Sequence, residues 1–574
     1  FFIIKIYFMF DILIFFLFFY LLLVSIIGFG IFFQNIFFKT IKNLDDQKII
    51  YTGFYGLFLL TFISIITSLF FPHNFIHNLL VHFFGILFFF TIKFKNKKKY
   101  LKTIFFISLF TILAILISKT HDDFSYYHLP FTKYLTEHKI IFGMGNLLHG
   151  YKLVSSLFFL NSTFYLPYIE YFAFHFSSLY FLIFFNFFLF KEIISKKNHE
   201  VTRYLCLFAL AFFNLSFNRI AEYGTDKVGQ LLIVLLVIKI FQFICFEKKK
   251  VNLESILLVI PLIAFCLTLK TYFLPYILIG FAILFLNGKI LKTLKIIFFS
   301  KSFLIFISTL FFYFLHHFIS TGCIISPISS TCFGDNLDWA QGKDHYGRLS
   351  NWLEQWAKAG ASPNFRVENP LIYIQNFNWV SRWFEFYFMG KVKDQLLILI
   401  LIFIVIFLLF KKFEIKSKTS ILNKKLLFFY LIIIMIFFMW FTNHPQLRYG
   451  GYSISFLVLS IPLALLFQNF ENKKFFEKKF KFLAILIIVL FNVKNIDRIN
   501  KEIQRTDHYS YDNFPFFAIP KKEYIFEKTT SGLVVYKTKG HCWNTPSPCV
   551  QSLGEFNFTI TKKNGFFFIN NKKK

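Results

Sequence analysis

The segment from His121 to Gly150, HDDFSYYHLPFTKYLTEHKIIFGMGNLLHG, concentrates side chains that could do chemistry. It holds two adjacent carboxylates, Asp122 and Asp123, together with four histidines and three glycines, between long runs of Phe, Ile and Leu. Two neighbouring carboxylates in a partly desolvated pocket repel each other, which raises the pKa of one of them and suits it to take a proton from a hydroxyl group. The pair therefore predicts a general base. The alternative is a pair of solvated acids at the end of a helix.

The same segment also raises the question of a metal ion. His121, Asp122, Asp123 and His128 are all residue types that ligate divalent cations, but their spacing matches no strong metal template. A divalent cation is therefore the minor alternative, and the sequence identifies neither a metal nor another cofactor. Pro130 predicts a short helix after the acidic pair, because Pro suits the first turn of a helix.

Three further stretches place charged residues at the ends of apolar runs. In WFTNHPQLRYGGY, Arg448 could grip a phosphate with two parallel hydrogen bonds, or its side chain could extend to lipid headgroups. Lys270, followed by Tyr272, has the same two interpretations. In RIAEYGTDK, Glu222 and Asp226 are candidates beside Arg219, and the alternative is a solvated turn. The set of candidate site residues is completed by Tyr127, His128 and His444.

These residues must be positioned by helices that cross a membrane. The chain has 574 residues, 56% of them hydrophobic, and its apolar runs are about 18 residues or longer, the length that spans a bilayer. This predicts an all-α polytopic membrane protein with about 12 to 14 transmembrane helices. The candidate spans are 8–33, which we take as retained, 50–71, 75–92, 103–118, 168–190, 204–218, 229–246, 254–269, 273–287, 299–319, 395–410, 426–441, 451–468 and 480–493.

The distribution of lysine predicts which loops share a side of the membrane. The formal net charge is +32, but the basic residues cluster in short loops between apolar runs, at 93–102, 191–197, 247–250, 289–295, 411–425 and 472–481. Cytoplasmic loops are rich in Lys and Arg, so these loops are predicted to be cytoplasmic and a nucleic-acid partner is excluded. The other loops are then outside, at 119–150, 219–228, 270–273, 320–394, 442–450 and after 494.

The predicted domain organisation is a transmembrane domain, 1–493, with large extracytoplasmic loops at 119–150 and 320–394, and a small extracytoplasmic module, 494–574. Four tryptophans in the second loop predict amphipathic helices in the headgroup zone, namely Trp352, Trp356, Trp379 and Trp383. The segment 151–166 is predicted to be a partly embedded or interfacial helix. In the C-terminal module, 532–539 is strand-like and 563–570 is a hairpin candidate.

The seven cysteines divide into two groups. Cys206, Cys245 and Cys266 lie in apolar runs and are predicted to be plain small apolar residues. Cys323 with Cys332, and Cys542 with Cys549, lie in loops predicted to be outside. The spacing and location of these four predict two local disulfides in an oxidising compartment.

The stretch DDFSYYHLP resembles the D-x-x-x-Y-H-L-P signature near the first large extracytoplasmic loop of bacterial membrane proteins in the GT-C glycosyltransferase superfamily. These proteins are relatives of the lipid-linked arabinose and mannose transferases. EYGTD, RYGGY and CWNTPSPC resemble later signatures of an uncharacterised branch of that group, so the resemblance covers most of the chain. The sequence departs from the pattern in placing about three spans before the aspartate loop, where many members have one.

The resemblance implies a GT-C-like enzyme that moves a sugar from a polyprenyl-phosphate donor to a glycan, lipid or protein acceptor. It implies a location in the bacterial inner membrane, among membrane lipids, with the active face toward the periplasm. Asp123 takes the place of the family's acid, Asp122 is its modulator or a metal ligand, and Arg448, helped by Lys270, holds the donor phosphate. Two alternatives stay open: a transporter or flippase of lipid-linked glycans, and a glycan polymerase or ligase.

Overall fold

Helices make up most of the chain. The structure, a computed structural model, describes residues 2–38, 45–195, 198–216, 219–245, 253–285, 290–334, 336–361, 366–411, 424–467, 476–505, 513–520, 522–554 and 558–571. The α-helices in this part of the chain are α1 Phe2–Phe37, α2 Asp45–Thr67, α3 Phe75–Thr91, α4 Lys97–Thr111, α5 Leu129–Glu137, α6 Ser156–Ser162, α7 Phe176–Ile194, α8 Glu200–Leu215, α9 Thr225–Cys245, α10 Leu253–Leu269, α11 Ile277–Phe285, α12 Ile290–Phe298, α13 Lys301–Thr321, α14 Lys343–Ala357, α15 Pro370–Ile374, α16 Val380–Trp383, α17 Lys393–Phe410, α18 Lys424–Asn443, α19 Gly451–Phe467 and α20 Phe476–Ile503.

The chain folds as a multi-pass all-α membrane protein. Within the described residues, six helices are long and apolar enough to cross a membrane: Phe10–Phe37, Lys48–Thr67, Glu170–Ile194, Lys301–Thr321, Val380–Phe410 and Lys424–Asn443. Shorter apolar helices occupy Phe75–Thr91, Ser255–Leu269, Thr271–Leu284 and Gly451–Phe467. Each of the fourteen predicted spans overlaps one of the helices α1 to α20.

Two of the helices begin at residues that cap them. Asn74 and Ser300 cap α3 and α13, because their side chains accept hydrogen bonds from the backbone N–H groups of His77 and Phe303.

The helix α7 lies inside the bundle. Nearly every residue of α7 is buried, and the helix packs against α2, α4, α8 and α9. By contrast, α17 and α18 expose one apolar face each, including Leu408 on α17. A central buried helix with lipid-facing helices around it is the expected arrangement for a membrane bundle.

The loops predicted to lie outside meet at one end of the bundle. The backbone N–H of Lys119 donates to the carbonyl oxygen of Ala221 at 2.7 Å, joining the loops 119–150 and 219–228. The indole N–H of Trp383 donates to the carbonyl oxygen of Pro445 at 2.8 Å, joining the loops 320–394 and 442–450. The candidate residues of the sequence analysis are therefore gathered at a single end of the helices.

The C-terminal residues form two small sheets that pack on the segment 121–150. The strands are β1 Tyr524–Lys528, β2 Val534–Thr538, β3 Cys549–Val550, β4 Phe558–Lys563 and β5 Phe566–Asn571. β2 pairs antiparallel with β1 and parallel with β3, and β4 pairs antiparallel with β5. The backbone N–H of Phe142 donates to the carbonyl oxygen of Phe567 at 2.9 Å, so the β4–β5 hairpin lies directly against that segment.

Two features differ from the sequence prediction. The segment 151–166 contains α6, whose residues are all buried, so it is not an interfacial helix. The Asn78 side chain donates to the carbonyl oxygens of Ser162 and Tyr165 at 2.8 Å each and so satisfies the C-terminal end of α6. The last helix, α20, continues beyond 493 to Ile503, because the sequence there remains helix-compatible although it is no longer apolar. Trp379 and Trp383 are buried in a small apolar cluster with Leu447, and their place in the headgroup zone stays a prediction.

The structure confirms both disulfides. Cys323 is bonded to Cys332, and Cys542 is bonded to Cys549. Cys206 and Cys266 are free and buried in α8 and α10, as small apolar residues would be. The side chain of Cys245 lies outside the described residues.

Candidate functional site

A cavity of about 850 Å³ lies at the end of the bundle where the loops meet. Its walls come from the segment after Lys119, the start of the 151–166 segment, the residues after α10, the helix α14, and the region from α18 to Tyr449. Six of the predicted site residues line it directly: Asp122, Asp123, Tyr127, Lys270, His444 and Arg448. The cavity therefore brings together residues that are more than 300 positions apart in the sequence.

Asp123 and Arg448 form an ion pair inside this cavity. The Nη1 atom of Arg448 donates to Oδ2 of Asp123 at 3.1 Å. Burial alone would raise the pKa of Asp123, but the charge of Arg448, together with His128 and His121, outweighs burial and lowers that pKa below its ordinary value of 3.8. Burial alone would lower the pKa of Arg448, but Tyr449, Asp123 and Asp226 outweigh burial and raise that pKa well above its ordinary value. Both groups are therefore ionised at neutral pH.

This electrostatic setting corrects one expectation. The sequence predicted that Asp122 would raise the pKa of Asp123 by repulsion, and this is wrong. The Asp122 side chain is exposed, and the carboxylate that opposes the charge of Asp123 is Asp226, a weaker influence than Arg448. The carboxylate of Asp122 is exposed and that of Asp123 is partly buried, so the two neighbours do not share one desolvated environment although both line the cavity.

Local backbone structure holds Asp123 in place. Residues Phe124–His128 form a π-helical turn that leads into α5, which starts next to Pro130 as predicted. The backbone N–H of Asp123 donates to Nδ1 of His121 at 3.2 Å. Gly150 lies so close to this turn that a Cβ atom there would stand 1.9 Å from Cβ of Tyr127. The close approach allows the 149–152 turn to pack against the π-helical turn and makes it rigid.

Arg448 is held by hydrogen bonds to the backbone around it. The side chain of Gln230 on α9 donates to the carbonyl oxygen of Leu447 at 3.2 Å and accepts from the backbone N–H of Ser453 at 2.9 Å. Gly450 has a φ of +98°, which lets the chain turn directly from the short helical turn at Leu447–Tyr449 into α19. The position of the guanidinium is therefore set by α9 and by the start of α19.

Lys270 forms a second ion pair next to the first. Its ammonium group donates to Oδ1 of Asp226. Both cations lie near the ring of Tyr449, with Nζ of Lys270 at 5.0 Å and Cζ of Arg448 at 4.7 Å from the ring centre. The Nη2 atom of Arg448 also donates to the hydroxyl of Tyr449 at 2.6 Å. Each cation is paired with a carboxylate, and a phosphate that replaced those carboxylates could bind both cations.

The remaining candidates surround these two pairs. The Nδ1 atom of His121 lies 3.9 Å from Oδ2 of Asp123, and its Nε2 atom lies 3.9 Å from Oε2 of Glu222. The Oε1 atom of Glu222 lies 4.0 Å from Nζ of Lys119. Tyr127 lines the cavity although it is largely buried. His128 is buried and does not line the cavity, and burial lowers its pKa to about 3. His444 lines the cavity, and burial lowers its pKa to about 4. His121 thus lies next to two carboxylates, whereas His128 and His444 are uncharged at neutral pH.

The described residues contain no group of three or more His, Cys, Asp and Glu side chains arranged to hold a metal ion. The structure thus does not assemble His121, Asp122, Asp123 and His128 into a coordination sphere. Asp122 is exposed, whereas His128 packs against the ring of Tyr223, with 5.4 Å between ring centres.

The sequence analysis missed several aromatic residues that line the cavity. Tyr126 and Tyr449 stand next to predicted residues and could have been found from their motifs. Trp352 and Trp356 are four residues apart and so lie on one face of α14. The neighbouring face of α14 packs Tyr346 on the Cys323–Cys332 disulfide. The direction of both tryptophans follows from that packing, and no pattern in the sequence indicates it.

One side of the cavity is apolar. Ile436, Met439 and Trp440 of α18 line it, as does Leu274. The outer face of the same helix is exposed, with Phe438 57% accessible. The helix α18 therefore separates the cavity from the surface that would contact lipid, and the polar and apolar walls meet near His444.

The family described as "Domain of unknown function (DUF8201)" matches residues 12–455, which include all of the cavity-lining residues. The match ends before the C-terminal module begins. No curated protein and no solved structure matches the chain.

Proposed function

The chain belongs to the DUF8201 family of unknown function. From the geometry of its site, we propose that the protein is a membrane glycosyltransferase. It moves a sugar from a polyprenyl-phosphate donor to an acceptor hydroxyl. The observation that carries the proposal is the pairing of Arg448 with Asp123 at 3.1 Å in a cavity that has one charged wall and one apolar wall. A lipid phosphate would place its phosphate group against the charged wall and its hydrocarbon chain against the apolar wall.

The proposed reaction assigns one role to each ion pair. The donor phosphate binds between Arg448 and Lys270, and its isoprenoid chain lies along α18. The carboxylate of Asp123 takes the proton of the acceptor hydroxyl as its oxygen forms a bond to the anomeric carbon of the sugar. The bond between that carbon and the phosphate oxygen breaks, and the polyprenyl phosphate leaves with the electron pair. Fixed cations near the leaving oxygen stabilise the charge that develops there.

The finer assignments belong to the same proposal. A GT-C-like architecture with 12 to 14 crossings accommodates the fourteen helices that overlap predicted spans. Placement in the bacterial inner membrane with the site toward the periplasm is supported by the lysine-rich loops, because cytoplasmic loops carry the excess of basic residues. Asp122, exposed at the cavity edge, is assigned no proton-transfer role.

The decisive experiment measures donor binding. We expect the purified full-length protein to bind undecaprenyl phosphate, detected by native mass spectrometry, in preference to undecaprenol, which lacks the phosphate. Arg448→Ala should weaken binding of the phosphate lipid by roughly tenfold or more, because a charge-assisted bidentate contact is lost. Arg366→Ala is the matched control, since Arg366 is exposed and does not line the cavity.

Two results would oppose the proposal. Equal binding of undecaprenyl phosphate and undecaprenol would mean that the cations do not recognise phosphate. Binding followed by movement of an intact lipid-linked glycan across a vesicle membrane, with no transfer of sugar to any hydroxyl, would make the flippase alternative the better one.

A further inference from the structure

A row of aromatic side chains lines the cavity from the segment 121–150 to α14. We call Tyr126, His149, Trp352 and Trp356 the aromatic wall. Neighbouring ring centres are separated by 6.2 Å between Tyr126 and His149, 5.4 Å between His149 and Trp352, and 5.8 Å between Trp352 and Trp356. The rings form a continuous surface, of which Trp352 is 40% exposed.

The wall also carries polar atoms with unused hydrogen-bonding capacity. The indole Nε1 of Trp356 is buried and has no hydrogen-bond partner among the described residues. The hydroxyl of Ser326, another cavity-lining residue that is only 1% exposed, likewise lacks one in the described structure. Leaving such groups unpaired costs free energy, so a ligand group that reached either atom would gain a favourable hydrogen bond.

Asp123 lines the same cavity as the aromatic wall and is paired with Arg448 at 3.1 Å. Its negative charge also acts on Tyr126 and on His149 of the wall. An acceptor held by the wall and a donor phosphate held by Arg448 would therefore both lie close to this carboxylate.

We propose that the aromatic wall binds a sugar ring of the acceptor, so that the acceptor is a glycan. This deepens the proposed function and rests on it. One face of a pyranose ring carries C–H groups and packs against an aromatic face, whereas its hydroxyls take hydrogen bonds from groups such as Trp356 Nε1 and Ser326 Oγ. A few placed polar groups in an aromatic pocket give orientation and specificity.

The other two acceptor classes fit this wall less well. An acyl chain would pack better against the apolar side formed by Ile436 and Met439. Against the aromatic wall it would leave Trp356 Nε1 and Ser326 Oγ unpaired. An extended peptide commonly binds by adding to an exposed sheet edge, and no described strand lines the cavity.

The test is binding of simple glycosides to the full-length protein in nanodiscs prepared without sugar-based detergents. Saturation-transfer NMR is recorded with methyl glycosides of mannose, glucose, galactose and N-acetylglucosamine. We expect at least one to receive saturation at its ring C–H protons. Trp352→Ala should weaken that binding by about tenfold, and Trp352→Phe by less, because a smaller aromatic face remains. Phe377→Ala is the control, since Phe377 is 64% exposed in the same large loop and does not line the cavity.

The outcomes separate this inference from the proposed function. If no glycoside binds, or if Trp352→Ala binds as well as the wild type, the inference is overturned, and undecaprenyl phosphate binding on the same samples reports independently on the donor site. If a polyprenyl-phosphomannose displaces the glycoside but undecaprenyl phosphate does not, the wall holds the donor's sugar and the assignment to the acceptor is wrong. Glycoside binding that survives both lipids supports the inference.

Discussion

At the scale of single residues, the ion pair of Asp123 with Arg448 keeps the carboxylate ionised throughout the neutral range. A carboxylate with a lowered pKa is ionised at neutral pH but is a weak base. In the proposed reaction, Asp123 becomes a stronger base when the donor phosphate draws the Arg448 guanidinium away from it. Tyr449 and Asp226 give Arg448 other negative or polar neighbours. In the proposed reaction, the pair would link proton transfer to phosphate binding without any movement of the backbone.

Replacing the two charged residues should separate transfer from binding. Asp123→Asn keeps the size of the side chain but removes the proton acceptor, so we expect sugar transfer to fall by roughly a hundredfold or more, with little loss of donor binding. Arg448→Lys keeps the charge but loses the planar fork, and its effect should be mainly on donor affinity. Steady-state kinetics together with a lipid-binding assay would check both. Equal effects of the two substitutions on donor binding would contradict these roles.

His128 makes the folded protein sensitive to acid. Burial lowers its pKa from the ordinary 6.5 to about 3, with a further contribution from His121. Between these values the unfolded chain binds more protons than the folded one, so stability is present above pH 6.5 and is lost as the pH falls toward 3. We expect the melting temperature of the wild type to drop between pH 6.5 and 4.5, and His128→Phe to drop less steeply. Tyr127→Phe, an adjacent buried ring that does not titrate in this range, is the control, and identical slopes for wild type and His128→Phe would refute the assignment.

At the scale of elements, the disulfide loop 542–549 supports the segment that carries Asp123. The side chains of Ser125 and His541 are hydrogen-bonded at 2.8 Å, and the backbone N–H of Trp543 donates to the carbonyl oxygen of Ser125 at 3.1 Å. The carboxylate of Glu137 on α5 accepts from the backbone N–H of Ser547 at 2.6 Å. The C-terminal module, although outside the family match, is thus part of the site's framework.

Removing the Cys542–Cys549 bond should loosen the segment around Ser125. Closing so short a loop contributes about 2 to 3 kcal/mol of local stability by the loop-entropy estimate. We expect the double substitution of both cysteines by serine to speed hydrogen exchange of backbone amides at 121–128 and to reduce sugar transfer. The matched control is the double serine substitution at Cys323 and Cys332, which should instead affect the packing of α14. Unchanged exchange at 121–128 in the first variant would mean that the loop does not support the site.

The sequence predicted the location of the site better than its internal geometry. Apolar length and lysine distribution are local properties, so they could place Asp123, Asp226 and Arg448 at the same end of the bundle. The ion pair joins residues 325 positions apart, and only the packed helices decide which carboxylate meets which cation. The direction of Trp352 depends on how α14 packs against a disulfide, which no periodicity in the sequence reveals.

At the scale of the whole molecule, sidedness is testable in intact cells. In a variant lacking the three cysteines outside the disulfides, a single new cysteine is placed by Lys98→Cys or by Asp344→Cys, both at exposed positions. A membrane-impermeant maleimide should label position 344 and not position 98, because the lysine-rich loop is predicted to face the cytoplasm. Labelling of position 98 would reverse the predicted orientation and place the cavity on the cytoplasmic side.

The support of Ser125 by His541 and Trp543 also has a consequence for the order of synthesis. The ribosome adds residue 125 more than four hundred residues before residue 541. For most of translation, the segment with Asp123 therefore lacks its contact with His541. Its final shape requires that residues 541–549 reach the same side of the membrane and form their disulfide. A polypeptide that ended before residue 541 would lack this support, which couples the maturation of the site to synthesis of these later residues.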